Sequence, residues 1–213
     1  MSNPREEAAP AKKSLLTRER ILDAAAHVLS RKGYAGTRLS DVADLAQVQA
    51  PAIYYYFPSR DVLIEEVMWV GGYRVHQHVR EVLDALPGSV SALGKILAAV
   101  EAHLRYELQI SDYTTASIRN AGQVPEELRA RPAAEEAAYS RIWTGLLQQA
   151  AEAGELRPGL DINVSRLLLL GSMNWAAEWW NPRTRSLEDL VRASQDMVRF
   201  GMGNPASFGA GAP

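Results

Sequence analysis

Asp41-Val42-Ala43-Asp44-Leu45-Ala46-Gln47-Val48-Gln49-Ala50-Pro51-Ala52-Ile53-Tyr54-Tyr55-Tyr56-Phe57 reads as two short helices separated by a three-residue turn. Leu39, Val42, Ala43 and Ala46 recur at helical spacing and mark the first helix. Gln47, Val48 and Gln49 form the turn. Pro51 falls in the first turn of the second helix, where its missing N–H costs little. Ile53 and Phe57, four residues apart, form an inward edge and leave Ala50, Ala52, Tyr55 and Tyr56 facing elsewhere. Upstream, Thr17 is the expected N-cap of a longer helix carrying Ile21, Leu22, Ala25, Val28 and Leu29, and Gly33 is its left-handed stop. A short helix, a tight turn and a second helix with an outward face of its own make a helix-turn-helix, whose second helix enters the major groove of DNA.

Charge supports that reading. Residues 12–60 hold 8 Lys and Arg against 4 Asp and Glu, a net of +4. Residues 61–213 hold 14 against 19, a net of −5, and residues 1–11 add −1 to give the overall −2. A basic head on an acidic body predicts a polyanionic partner for the head and a different task for the body.

The run from Thr17 to Tyr34, then Asp41 to Ala46, then Ile53 to Leu63 resembles, in order, the N-terminal domain of the TetR family of transcriptional regulators. The resemblance implies an all-α protein: a three-helix helix-turn-helix domain followed by a larger helical domain that binds a small ligand and dimerises. It also implies regulation by release from DNA when ligand binds. Carried over position by position, bases are read by Gln49, Ala50, Pro51, Ala52 and Tyr55. Ala and Pro offer methyl contacts to thymine, and Gln49 the hydrogen bonds. Tyr54, Tyr55 and Tyr56 match an aromatic run whose hydroxyls reach phosphates, and Arg60 matches a basic residue expected to do the same. Arg38 stands beside Thr37 at the start of the second helix, a further phosphate candidate. Gln47 replaces the glycine common in the family's turn. In isolation a Tyr-Tyr-Tyr-Phe run packs into a core more often than it touches DNA; the ordered motif around it favours contact for Tyr55, Tyr56 and Arg60.

The expected organisation is a disordered arm at 1–14 ending in Lys12 and Lys13, a DNA-binding domain at 15–60, a ligand-binding and dimerisation domain at 61–202, and a flexible tail at 203–213. Helices are expected at about 59–86, 91–109, 112–121, 133–153, 161–180 and 186–200. Gly71-Gly72 inside the first of these is either a close packing point or a flexible one. Leu167 to Leu170, Met173, Trp175, Ala176, Ala177, Trp179 and Trp180 make the 161–180 helix apolar on nearly all sides, which predicts burial on nearly all sides. By the resemblance, this helix and the next pair across a two-fold axis, so a homodimer on a palindromic operator in double-stranded DNA is expected.

The candidate ligand residues are large side chains from several helices: Trp69, Tyr73, His103, Tyr106, Trp143, Met173, Trp175 and Trp179. Asn174-Trp175 and Trp179-Trp180-Asn181-Pro182 resemble a TetR branch that answers acyl-CoA thioesters or related lipid-like molecules; Gly171 stands where some of that branch carry a basic residue. A small, largely apolar effector follows. No cofactor and no metal is expected: there is no cysteine, and His76 and His78, two apart, point to different helix faces. The N-terminus has no signal-peptide pattern and no apolar run is long enough for a membrane span, so a cytoplasmic protein is expected. No Gly-x-Ser-x-Gly, His-Glu-x-x-His or phosphate-loop motif occurs, which argues against an enzyme. The alternative left open is a ligand-independent dimeric DNA-binding or architectural protein.

Overall fold

The computed structural model describes residues 4–110 and 112–208, and the described residues form helices without a β-strand. They divide into two compact units, the first of residues up to 72 together with 112–133, the second of 73–110 and 134–208. The unit that contains the helix-turn-helix is therefore larger than the 15–60 stretch.

In the first unit, α1 (Pro4–Gly36) is interrupted at Gly33, where φ is 69° and ψ 176°, a backbone region open essentially to glycine alone. The stop expected at Gly33 is there, but the expected start at Thr17 is not. Thr17 lies within α1, and its hydroxyl donates to the Lys13 carbonyl at 3.0 Å instead of capping a helix end. Then come α2 (Leu39–Ala46), α3 (Ala50–Tyr56) and the first part of α4 (Arg60–Asp84). Ile21, Ala25, Leu29, Val42, Ile53, Phe57, Ile64 and Val67 fill one core between them. Gln47 ends α2 in the left-handed region, at φ 53° and ψ 47°, and Arg20 donates to the Ala46 and Gln47 carbonyls, a cation at a helix C-terminus.

The first unit is completed by α6 (Asp112–Asn120), which comes from far along the chain and lies against α1. Polar contacts run along this contact: Tyr113 Oη to Asp23 Oδ1 at 2.7 Å, His27 Nδ1 to Asp112 Oδ2 at 2.9 Å, Arg119 Nη1 to the Ser30 carbonyl at 3.1 Å. At the break itself, Asn120 Oδ1 accepts from the Tyr34 backbone N–H at 2.7 Å. Arg60 serves the carbonyl side of the same break. Its Nε donates to the Thr37 carbonyl at 2.8 Å, an Nη donates to the Tyr34 carbonyl, and the guanidinium lies 4.4 Å from the Tyr34 ring centroid. Glu66 joins Arg18 (2.8 Å) and Arg131. Burial works to raise the Glu66 carboxyl, but the two guanidiniums outweigh it and hold it below the usual carboxylate range.

Gly71 is where two helices come close. A Cβ there would lie 2.5 Å from the Tyr113 carbonyl oxygen, so α4 and α6 approach backbone to side chain-free backbone. The glycine is a packing point within the first unit.

The second unit holds the rest of α4, α5 (Ala92–Arg105), one turn of π-helix (Tyr106–Ile110), most of α7 (Ala130–Glu152), α8 (Ile162–Trp179), α9 (Leu187–Gly201) and α10 (Pro205–Phe208). Its helices are capped as their sequences suggest. Ser91 accepts from Gly94 N at 3.1 Å, Asp161 from Val164 N at 3.0 Å and Ser186 from Asp189 N at 3.1 Å. Glu155 adds a remote cap, its carboxylate accepting from the Leu93 N–H at 2.6 Å at the positive end of α5.

Two expectations are corrected. The tail read as flexible is anchored at its start: Leu156 and Gly203 form an isolated antiparallel bridge, and Asn204 N donates to the Glu155 carbonyl at 2.8 Å. Residues 209–213 lie outside the described residues. Nor is α8 buried on all sides within one chain. It buries Leu169, Met173 and Ala176 but exposes Val164, Leu167, Leu168, Trp175 and Trp179.

Two stability predictions follow from this packing. Arg60→Ala takes the side-chain donor from the Thr37 carbonyl and leaves the Tyr34 carbonyl only the Thr37 N–H at 3.4 Å; it should lower unfolding free energy by about 1–3 kcal/mol, read from the urea midpoint, and an unchanged midpoint would make the clamp dispensable. Gly71→Ala should cost about 1–3 kcal/mol through overpacking, and a melting temperature equal to the wild type would show that α4 and α6 are not in this contact.

Candidate functional site

The outward face of α3 is built by what its inward face must do. Ile53 and Phe57 are buried at 0% and 2% exposure, which fixes the rotation of the helix and turns Tyr55 out at 81%. Gln49, Ala50, Pro51 and Tyr54 are exposed as well, and Ala52 is half-buried. Gln49 is the N-cap residue of α3, and its side chain makes no capping bond, so the amide stays available at the helix start. Tyr56 is half-buried. Its ring meets Tyr55 edge-on at 4.9 Å, and Ser14 Oγ reaches its hydroxyl at 3.5 Å. Arg38 is exposed at the N-cap of α2 with no side-chain cap bond. Gln49 to Ala52, Tyr54, Tyr55, Tyr56 and Arg38 thus come from α2 and α3 of one unit.

Arg60 is different. Three of its nitrogens already donate to the Thr37 and Tyr34 carbonyls and to Asp61. Its charge remains in the unit, but its donors hold the fold. Sequence spacing shows that a basic residue opens α4 and says nothing of where its fork turns.

The candidate ligand residues do not converge. Trp69 belongs to the first unit, 3.9 Å below the Arg131 guanidinium. Tyr73, Trp175 and Trp179 are 40%, 65% and 48% exposed on the second unit, so none of them is a core residue of the single chain. Tyr106 pairs with His78, ring centroids 5.0 Å apart. His103, Trp143 and Met173 are brought together in the core of the second unit, with exposures of 2% or less.

That core contains a polar chain. Glu135 meets His76 Nδ1, the His76 ring lies 5.7 Å from Tyr139, and Tyr139 Oη sits 2.8 Å from His103 Nδ1. Beyond His103, its Nε2 lies 2.8 Å from Glu107 Oε2. Glu107, wholly buried in the π-helical turn, has its carboxyl pushed up by desolvation, which the His103 contact offsets only in part. Burial likewise raises the Tyr139 phenol, so it stays a neutral hydroxyl. Glu107 was legible only as one acidic residue among several charged ones on its helix, four positions after His103; Glu135 gave no signal in the sequence.

Among the described residues no helix is long and apolar enough to cross a membrane. Residues 21–67 match the family of bacterial regulatory proteins named for tetR, and residues 89–202 match the tetracyclin repressor-like C-terminal domain. The chain is 24% identical over 183 residues to a fatty acid metabolism regulator protein of Bacillus subtilis, covering 84% of this chain and 91% of the relative. It is 23% identical to the transcriptional repressor KstR2 of Mycolicibacterium smegmatis, covering 78% and 80%. Among solved structures it resembles AibR in complex with isovaleryl coenzyme A and operator DNA, with a TM-score of 0.77, 20% identity and coverage of 85% of this chain and 97% of that one. FadR of Bacillus subtilis in complex with stearoyl-CoA gives a TM-score of 0.72 at 21% identity, covering 86% and 98%. With the head matched by one family domain, more than half its length by the companion C-terminal domain, and α3 presented as a recognition helix, the chain belongs to the TetR family of transcriptional regulators.

Proposed function

We propose that this regulator is a homodimeric repressor, without enzymatic activity, that leaves a palindromic operator when a CoA thioester or similar lipid-like molecule binds its body. The observation that carries the DNA half of the reading is α3, whose first turn and Tyr55 stand clear of the core. Gln49 and the Ala50–Ala52 methyl surface read bases; Tyr54, Tyr55, Tyr56 and Arg38 set the register on phosphates. Arg60 supports this surface from behind. Residues 15–60 serve the operator and 61–202 the effector and the partner.

The dimer reading rests on the apolar stripe of α8 and α9. Leu167, Leu168 and Trp175 of α8 and Met197 and Phe200 of α9 are each 61–68% exposed, more apolar surface than a monomer leaves in water without use. A two-fold axis through this stripe pairs the same patch with itself. The effector class is supported by the solved complexes it resembles, AibR with isovaleryl coenzyme A and FadR with stearoyl-CoA.

Selection from a random DNA pool at about 0.15 M salt should return a palindrome with half-sites about 10 bp or more apart, and isovaleryl-CoA or stearoyl-CoA should then weaken binding. Uniform weak affinity for unrelated sequences would remove the operator reading. Tyr55→Ala should cost about tenfold in operator affinity, ~1.4 kcal/mol, with the dimer intact. Leu168→Glu should yield a folded monomer in sedimentation, and a dimer that survives it would place the interface elsewhere.

A further inference from the structure

The second unit contains two histidine–carboxylate pairs, and they are not alike. His76 and Glu135 sit at the edge of the core, with side chains 10% and 14% exposed, where water serves whatever the pair leaves over. His103 and Glu107 are 3% and 0% exposed. Glu107 Oε2 approaches His103 Nε2 at 2.8 Å without the alignment of a hydrogen bond, so both Glu107 oxygens and His103 Nε2 are buried without one. The Trp143 ring lies beside them, edge-on to His103 with ring centroids 6.2 Å apart. A buried polar atom with no partner costs about 1–3 kcal/mol, and a carboxyl costs more. An apolar Leu or Met at 107 would be in keeping with the core of this unit, which holds Leu104, Leu147 and Met173.

The backbone adds a second observation. Glu107 is carried by the single π-helical turn of Tyr106–Ile110, which directly follows α5. Such turns replace regular helix hydrogen bonding, and they concentrate where a side chain has to be re-aimed for function. Here the re-aimed side chain is the unsatisfied carboxyl.

We infer that the His103–Glu107–Trp143 cluster is the polar end of the effector site, and that the natural effector carries a hydroxyl on an otherwise apolar chain that donates to Glu107. The inference rests on the proposal that the effector is a lipid-like molecule. A hydroxyl suits the cluster because it both donates and accepts, and therefore bonds the carboxyl whether that group is ionised or neutral. An ammonium would need the ionised form, which burial opposes. The Tyr139 hydroxyl on His103 Nδ1 holds the imidazole in place on its other side. Met173 contributes a flexible thioether to the same core and adapts to an inserted chain. A plain alkyl end placed against Glu107 would leave the carboxyl unsatisfied and would be rejected on that account.

The test is calorimetric titration of the full-length protein with decanoyl-CoA, its β-hydroxyl and ω-hydroxyl derivatives, and the three corresponding free acids. One hydroxylated thioester should bind about 10–100-fold tighter than decanoyl-CoA. That preference should fall to within about threefold in Glu107→Leu, and survive in part in Glu107→Gln, which keeps one acceptor oxygen. A hydroxyl preference seen only among the free acids would end the thioester reading and leave this inference standing. Decanoyl-CoA bound as tightly as both hydroxylated thioesters would do the reverse, and no binding by any of the six compounds would overturn both. Without ligand, Glu107→Leu should melt at or above the wild-type temperature, since the cost of burying a carboxyl without a hydrogen bond goes with it. If Glu107→Leu and Glu107→Gln both melt several degrees lower, Glu107 is a structural member of the core and the inference falls.

Discussion

The first unit depends on how one broken helix is repaired. Gly33 takes a backbone conformation that ends the regular hydrogen-bond ladder of α1, and the groups released there need partners because they are partly buried. The partners come from distant parts of the chain. Asn120 of α6 accepts from the Tyr34 N–H, Arg60 of α4 donates to the Tyr34 and Thr37 carbonyls, and Thr37 donates its hydroxyl to the Gly33 carbonyl at 2.8 Å. A side chain from α4 and one from α6 thus meet on the backbone that leads into α2. The position of the α2–α3 pair is thereby fixed by side chains that lie outside α3.

This arrangement explains what the sequence made legible. The helix-turn-helix was readable because its information is local: Val42, Ala43 and Ala46 share one stripe, Ile53 and Phe57 another, and Pro51 marks a start. The inward pair alone fixes which tyrosines face out, so Tyr55 was placed correctly on the outer face. The roles of Arg60 and Asn120 were illegible because they are defined by backbone groups 26 and 86 residues away. Thr17 misled for the opposite reason. A threonine before an apolar repeat has the sequence of an N-cap, but the helix continues upstream and the hydroxyl bonds back to Lys13.

The second unit shows the same division between pattern and placement. Its caps at Ser91, Asp161 and Ser186 follow from short-range spacing. The tryptophans of α8 do not, because size and apolarity say that a side chain wants cover without saying whose. Trp143 finds cover inside the unit, whereas Trp175 and Trp179 do not. Glu107 is the converse case, an ionisable residue that the fold encloses completely. A reading based on bulk gives weight to aromatic residues and none to a carboxyl such as Glu107, whose burial is costly.

The far end of the chain has a practical reach beyond its own residues. Leu156, Arg157 and Glu155 hold Gly203, Met202 and Asn204 through backbone bonds, and the Glu155 carboxylate holds the first turn of α5. An affinity tag or a trimmed terminus introduced at 203–204 would therefore be felt at Leu93, through Glu155. A fusion junction belongs after residue 208, where the anchoring bonds are already made.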